Sequence, residues 1–293
     1  MKQVRKCVIP AAGFWTRFLP ATKALPKEMF PIIDKPVMQY LVEEAVWIWC
    51  TEIIIVTWRN KRAIEDHFDS NYELEKLLEK SNKFKKLERV KSLSRMANIS
   101  YIRQPYPRWD GDAILRAKPF LGDEPFLVLF WDDLIFNRKS AAKQLHEEFL
   151  RKWSPVIATN LVEDKDVSSY WILEGNYASD KCLLVNWVKE KPKAKDTDSR
   201  HWIIWKYILT PEIFKYLEEL EISNKTGEIR LADAFSEMIN DKDIYWLDVD
   251  WERFDTWSYV WFIKATIKMA LENDKLSPEI SSYIKSLQEK WLD

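Results

Sequence analysis

The chain has 293 residues, enough for one large α/β domain or two small ones, and its 47% hydrophobic and 31% charged residues fit a soluble globular protein. A formal net charge of -1 gives no support to nucleic-acid or acidic-membrane binding as the main activity. Cys7, Cys50 and Cys182 are far apart and form no C-x-x-C, which points to free thiols in a reducing compartment; with no apolar run near the roughly 18 residues of a membrane span, the expectation is a cytoplasmic protein.

In chain order, the opening MKQVRKCVIPAAG is positive and then apolar, as a secretory leader would be. Its apolar part is too short for that and is interrupted by Pro10, so Val4 to Pro10 reads as the first strand. The strand runs into Ala11, Ala12 and Gly13, then Thr16-Arg17, then Lys27-Glu28. A small-residue turn after a strand leaves backbone N–H groups without ladder partners, and such a turn cradles an anion, with Arg17 and Lys27 adding full charge around it. An ordinary strand–loop with scattered cations would carry the same residues.

Lys35 to Trp49 reads as an amphipathic helix, with Met38, Leu41, Val42, Ala45 and Val46 at helical spacing. Glu52 to Thr57 is a buried strand of β-branched residues. Lys61 to Phe68 is a short helix, and Asn71 to Arg95 a charge-rich, mostly helical surface excursion. Ile99 to Arg103 is a strand, and Gly111 to Lys118 starts a helix with Asp112 near its N-terminus. Phe126 to Phe130 is a central apolar strand running into Asp132-Asp133; Ser140 to Arg151 is a helix and Val156 to Val162 a strand. Four strand–helix alternations predict a mostly parallel sheet covered on both faces, with ligands outside the strands' carboxyl ends.

From Val167 the pattern changes. SSYWILEG, CLLVNWVKEKP and HWIIWKYILTP are strand-like runs close together, expected as antiparallel strands extending the sheet. Pro211 to Leu220 and Ile229 to Asn240 are helices, the second preceded by a turn at Thr226-Gly227-Glu228. Ile244 to Val249 is a strand, Arg253-Phe254-Asp255 leads into a helix from Ser258 to Glu272, and Ser277 begins a last amphipathic helix. No repeat or low-complexity linker divides the chain.

Three features could carry chemistry. Asp132, directly after a buried strand, and Asp255 in RFDTW are candidate Mg²⁺ ligands, because Mg²⁺ needs only one or two protein carboxylates, with water and phosphate oxygens completing its shell. Alone, each Asp serves equally well as a helix cap or turn residue. Glu190-Lys191 at a strand end offers a hydroxyl acceptor beside a phosphate cation, although such a tripeptide, completed by Pro192, is also an ordinary solvated strand end. His67, His146 and His201 lie in charged contexts that suit surface residues better than bases, and no zinc spacing is present. This inventory suits direct phosphoryl chemistry. A phosphate monoester has a second pKa of about 6, so its oxygen is already deprotonated near neutral pH and needs charge neutralisation and positioning rather than a base.

VIPAAGFWTRFLPATKALPKEM, VTWRNKRAIEDHFD, IRQPYP, LFWDD, VKEKP, WKYILTPEIF, TGEIRLADA and RFDTW occur in this order over nearly the whole chain. Together they resemble the UTP–glucose-1-phosphate uridylyltransferases of the sugar nucleotidyltransferase superfamily. The thymidylyltransferase cousins share the architecture, and FLPATK, PKEM and AIEDHFD favour the uridylyl branch. The resemblance implies an α/β, Rossmann-like three-layer nucleotidyltransferase fold: a mostly parallel central sheet, helices on both faces and an antiparallel extension. It implies one domain over 1–293, with a nucleotide-binding half to about 165 and a sugar-phosphate half from about 166. Ala11, Ala12, Gly13, Glu28 and Gln104 would bind the nucleotide, Gln104 offering a donor and an acceptor to uracil. Arg17 and Lys27 would hold the triphosphate and leaving pyrophosphate, Lys191 the sugar phosphate and Glu190 the glucose hydroxyls; Asp132 and Asp255 would hold Mg²⁺. The implied partners are UTP, glucose 1-phosphate and further copies in a homodimer or homotetramer.

One departure recurs. Trp15 stands where that family has glycine, as do Trp109, Trp131, Trp171, Trp205 and Trp257. The chain has 5 glycines and 16 tryptophans, against an average glycine usage of about 7%. Trp49 follows a helical run where a C-cap glycine belongs, Trp58 and Trp131 follow strands, and Trp251 lies in an expected hairpin turn. A gene using UGA for glycine, translated here as tryptophan, accounts for both counts; a genuinely tryptophan-rich protein would set bulky indoles at turn positions. Two other classes compete with an enzyme: a carbohydrate-binding protein with indole stacking platforms, which these turn positions suit poorly, and a catalytically dead homologue with a scaffolding role.

Overall fold

The computed structural model describes residues 3–13, 17–131, 133–136, 139–179, 181–223, 227–250, 252–255 and 259–291. Trp15, Thr16, Asp132, Thr226, Trp251 and Trp257, and the expectations attached to them, lie outside the described residues.

The first half contains β1 (Lys6–Pro10), the short strands β2 (Pro31–Ile32) and β3 (Lys35–Pro36), α1 (Val37–Trp47), β4 (Glu52–Thr57) and α2 (Arg62–Phe68). The charged excursion is two helices, α3 (Tyr72–Lys80) and α4 (Phe84–Leu93). Then follow β5 (Asn98–Arg103), α5 (Trp109–Leu121), β6 (Phe126–Leu129), β7 (Asp133–Phe136), α6 (Ala141–Lys152) and β8 (Val156–Leu161). The second half carries β9 (Trp171–Ser179), β10 (Cys182–Glu190), β11 (His201–Leu209), α7 (Ile213–Ser223), α8 (Leu231–Met238), β12 (Tyr245–Asp248), β13 (Glu252–Asp255), α9 (Tyr259–Glu272) and α10 (Ser277–Trp291).

Nine strands form one sheet in the order β5-β4-β1-β6-β11-β8-β12-β10-β9. Alternation along each strand supplies two cores. In β1, Cys7 and Ile9 face the layer of α1 and α6, while Val8 faces that of α5, α7 and α8; in β4, Ile53 and Ile55 oppose Ile54 and Val56 in the same way. Burying each such Ile or Val contributes about 1.5–3 kcal/mol, so a register slip, which would move these residues to the wrong faces, is strongly disfavoured.

β5, β4, β1 and β6 are mutually parallel, as the alternating pattern requires. One placement differs from the sequence reading. β11 does not extend the sheet at its edge: it lies between β6 and β8, antiparallel to both, and its first residues also pair with β9. A second difference concerns Asp133, which begins β7 and pairs in a separate two-stranded ladder with β13.

Candidate active site

Because β5, β4, β1 and β6 run in one direction, their carboxyl ends line one edge of the sheet, where an open α/β sheet places its ligands. Beyond β1, Ala11 donates its N–H to Val56 O at 2.7 Å, and Ala11 and Ala12 are buried. A Cβ added at Gly13 would lie 3.5 Å from Lys27 Nζ, at van der Waals contact, so the loop runs directly beside the ammonium. Lys27 stands on a single 3-10 turn, Lys27–Met29, entered from Pro26. Its side chain is buried, with Nζ 3.8 Å from the ring centroid of Trp131, which follows β6 and precedes Asp132. The small-residue loop, the lysine turn and the end of β6 therefore meet.

Glu28 is fully buried, and both its carboxylate oxygens accept from Lys61 Nζ, at 2.8 and 2.7 Å. The ion pair fastens the lysine turn to the start of α2. Gln104 follows β5, is buried, and donates through Nε2 to Trp109 O at 3.0 Å and to Asp112 Oδ2 at 2.8 Å. Both amide hydrogens are thereby engaged, which leaves Oε1 as the acceptor on this side chain.

The start of α5 is zipped to the segment before α8. Gly111 N donates to Ile229 O at 2.9 Å and Ile229 N to Arg108 O at 3.0 Å; a Cβ at Gly111 would come within 2.8 Å of Ile229 O, which explains its glycine. Asp110 Oδ1 accepts from Gly111 N and, at 3.0 Å, from Leu231 N, capping α8 from another element. Burial pushes the Asp110 carboxyl up to about 6, against the pull of those N–H groups. Arg230 donates to Glu190 at 2.7 Å and to Glu228 at 2.6 Å, and its guanidinium stands 5.0 Å from the Trp109 ring centroid. The path Gln104–Trp109–Arg230–Glu190 thus joins the end of β5 to the end of β10. Lys191, next to Glu190, is exposed and adopts φ 42°, its N–H donating to Tyr170 O at 3.1 Å.

Arg17 is exposed, and its carbonyl accepts from the Tyr259 hydroxyl at the start of α9; Phe18 packs against Tyr259, with ring centroids 4.3 Å apart. That anchor sits shortly after β13 in the chain. In β13, Asp255 is the register partner of Asp133, the neighbour of Asp132. Asp132 itself lies outside the described residues, as does the side chain of Asp255.

Sequence reasoning missed Lys61, Asp110 and Arg230, whose roles depend on contacts between distant segments. It also missed Lys206, which is fully buried on β11 and donates to Glu44 at 2.6 Å, while Glu44 accepts from Ala142 N at the start of α6. The histidines are half-buried rather than on the surface. His67 Nε2 lies 3.1 Å from Gln39 Oε1 and is held below the usual histidine range by burial, and His201 Nδ1 lies 2.8 Å from Asp248 Oδ1.

Residues 6–290 match the family described as nucleotidyl transferase, and the chain belongs to that family. Its branch is that of the UTP–glucose-1-phosphate uridylyltransferases, as the motifs imply. The chain is 42% identical over 285 residues to UTP--glucose-1-phosphate uridylyltransferase 1 of Staphylococcus saprophyticus, across 97% of this chain and 99% of that one. The UTP-bound UGPase from Acinetobacter baumannii superposes with a TM-score of 0.89 at 30% identity, over 97% of this chain and 100% of that one. A UDP-glucose pyrophosphorylase complexed with UDP-glucose gives a TM-score of 0.82 at 35% identity, over 92% and 100%.

Proposed function

We propose that this protein joins UTP and α-D-glucose 1-phosphate into UDP-glucose and pyrophosphate. The observation that carries the reading is the meeting of Lys27 with the Gly13 loop and the end of β6, in a chain related over its whole length to uridylyltransferases. A phosphate oxygen of the sugar phosphate attacks the α-phosphorus of UTP, the bond from that phosphorus to the α,β-bridging oxygen breaks, and pyrophosphate leaves. Lys27 and Arg17 neutralise the triphosphate and the departing pyrophosphate; Lys191 holds the sugar phosphate, and Glu190, steadied by Arg230, accepts from glucose hydroxyls. Ala11, Ala12 and Gly13 line the nucleotide, and Gln104 accepts the uracil N3–H.

Asp132 and Asp255 are our proposed Mg²⁺ ligands. The donor set fits a hard cation, since the β7–β13 register aligns Asp255 with Asp133, adjacent to Asp132, and two carboxylates suffice. Bound there, the cation would neutralise phosphate charge.

We read the chain as one catalytic domain, with the nucleotide half ending near 165, working in the cytoplasm, where its three buried free cysteines would stay reduced. A homodimer or homotetramer would cover the exposed Val260, Ile263, Ile267 and Leu271 of α9. Pyrophosphate release tests the activity. The expected result is release with UTP and glucose 1-phosphate together and neither alone; preference for dTTP would move the chain to the thymidylyl branch, and no release with any nucleotide would overturn the proposal.

A further inference from the structure

We infer that the tryptophans at the left-handed turns and ligand-facing loops are glycines in the protein the cell makes, UGA being the codon read there as glycine. Among the described residues, seven other than glycine have positive φ, and three of these are tryptophan: Trp49 at 71°, Trp109 at 72° and Trp153 at 53°. Two of the rest are Asn60 and Asn82, the residue type that tolerates this region best after glycine. An indole has no such tolerance, because its Cβ meets the backbone as any other does.

The surroundings of each tryptophan supply the glycine argument separately. Trp153 follows α6 with its N–H donating to Phe149 O at 2.7 Å, the helix-ending conformation for which glycine is the usual residue. Trp49 follows α1 in the same way and is 81% exposed, so no packing offsets its strain. Trp109 is 54% exposed at its φ of 72°; its carbonyl accepts from Gln104, while its indole lies against Arg230 and hydrogen-bonds Glu228. Trp246 is buried in the sheet, yet its indole N–H has no partner, an arrangement folded proteins avoid.

The consequence for the site is direct. The Trp131 ring covers the Lys27 ammonium, and the Trp109 ring stands over Arg230. Glycine at both positions uncovers the cation that faces the Gly13 loop and opens the loop between Gln104 and Glu190, which lets backbone N–H groups approach a phosphate or sugar. This consequence rests on the uridylyltransferase reading; the coding of the positions does not.

Two measurements test the inference and separate it from that reading. The first is the gene sequence together with peptide mass spectra of protein purified from its own organism. UGA codons and glycine-containing peptides at positions 49, 109, 131 and 153 are expected; UGG codons or tryptophan-containing peptides there would overturn the inference. The second compares two recombinant forms, the chain with tryptophan and the chain carrying Trp→Gly at every UGA position. The glycine form is expected to melt higher and to release pyrophosphate from UTP and glucose 1-phosphate at least about 100-fold faster, the scale on which a blocked phosphate cation acts. A tryptophan form of equal stability and turnover would overturn the consequence drawn for the site. Glycine peptides combined with an inactive glycine form would leave the recoding standing and remove the proposed reaction.

Discussion

Asp110 receives N–H groups from Gly111 and Leu231, and burial raises its pKa from the ordinary 3.8 to about 6. The folded state therefore holds this proton more tightly than the unfolded chain does. The group's contribution to stability is full below about pH 4, declines as pH rises towards 6, and is lost above that. Urea midpoints should show this decline between pH 4 and 6, and Asp110→Asn, which keeps an acceptor and loses the proton, should flatten it. Asp110→Ala removes the cap of α8 and should cost about 0.5–2 kcal/mol by the same measurement. For Lys191, exposed and outside both cores, Lys191→Ala should lower turnover by about 10²–10³-fold without moving the melting temperature. At this scale the motif residues were legible, because phosphate chemistry needs cations, small loops and carboxylates in recognisable company. Partners were not: the amide hydrogens of Gln104 go to Trp109 and Asp112, and the carboxylate of Glu28 goes to Lys61, contacts set only when separate segments pack.

The lysine turn and α2 are joined by Lys61–Glu28, with Glu28 fully enclosed. Lys61→Met would leave an unpaired buried carboxylate and should destabilise by about 3–5 kcal/mol in chemical denaturation. Adding Glu28→Gln to Lys61→Met should recover much of that loss by removing the stranded charge. Failure of the double variant to recover any stability would mean that the pair does more than balance charge. The elements themselves were largely readable. EIIIVT and FLVL are continuous apolar runs, and β4 has the bounds expected from Glu52 to Thr57. The position of β11 was hidden, since a strand's own pattern says how it is buried and not which strands flank it. The β7–β13 ladder was hidden for the related reason that four-residue strands carry almost no periodic signal.

Across the whole molecule, α9 presents Val260 and Ile263 at 58% and 57% exposure, and the proposed self-association should show as a dimer or tetramer in sedimentation. Ile263→Glu should shift that distribution towards monomer, whereas a wild-type chain that sediments only as monomer would remove the proposal. The overall α/β plan was legible from alternation alone. The join between the halves was not, because it is made by pairings between distant segments, β11 with β6 and β8, β12 with β8, and β13 with β7.

Strand β11 has consequences for how the chain could be divided. Its last residues pair with β6, its first with β9, and both ends with β8, so it laces the two halves of the polypeptide into a single fabric. A piece cut near residue 165 would expose bare flanks on β6 and β8, open to any passing chain. Each piece made separately is therefore expected to precipitate, with soluble protein recovered only when both are synthesised in the same cell.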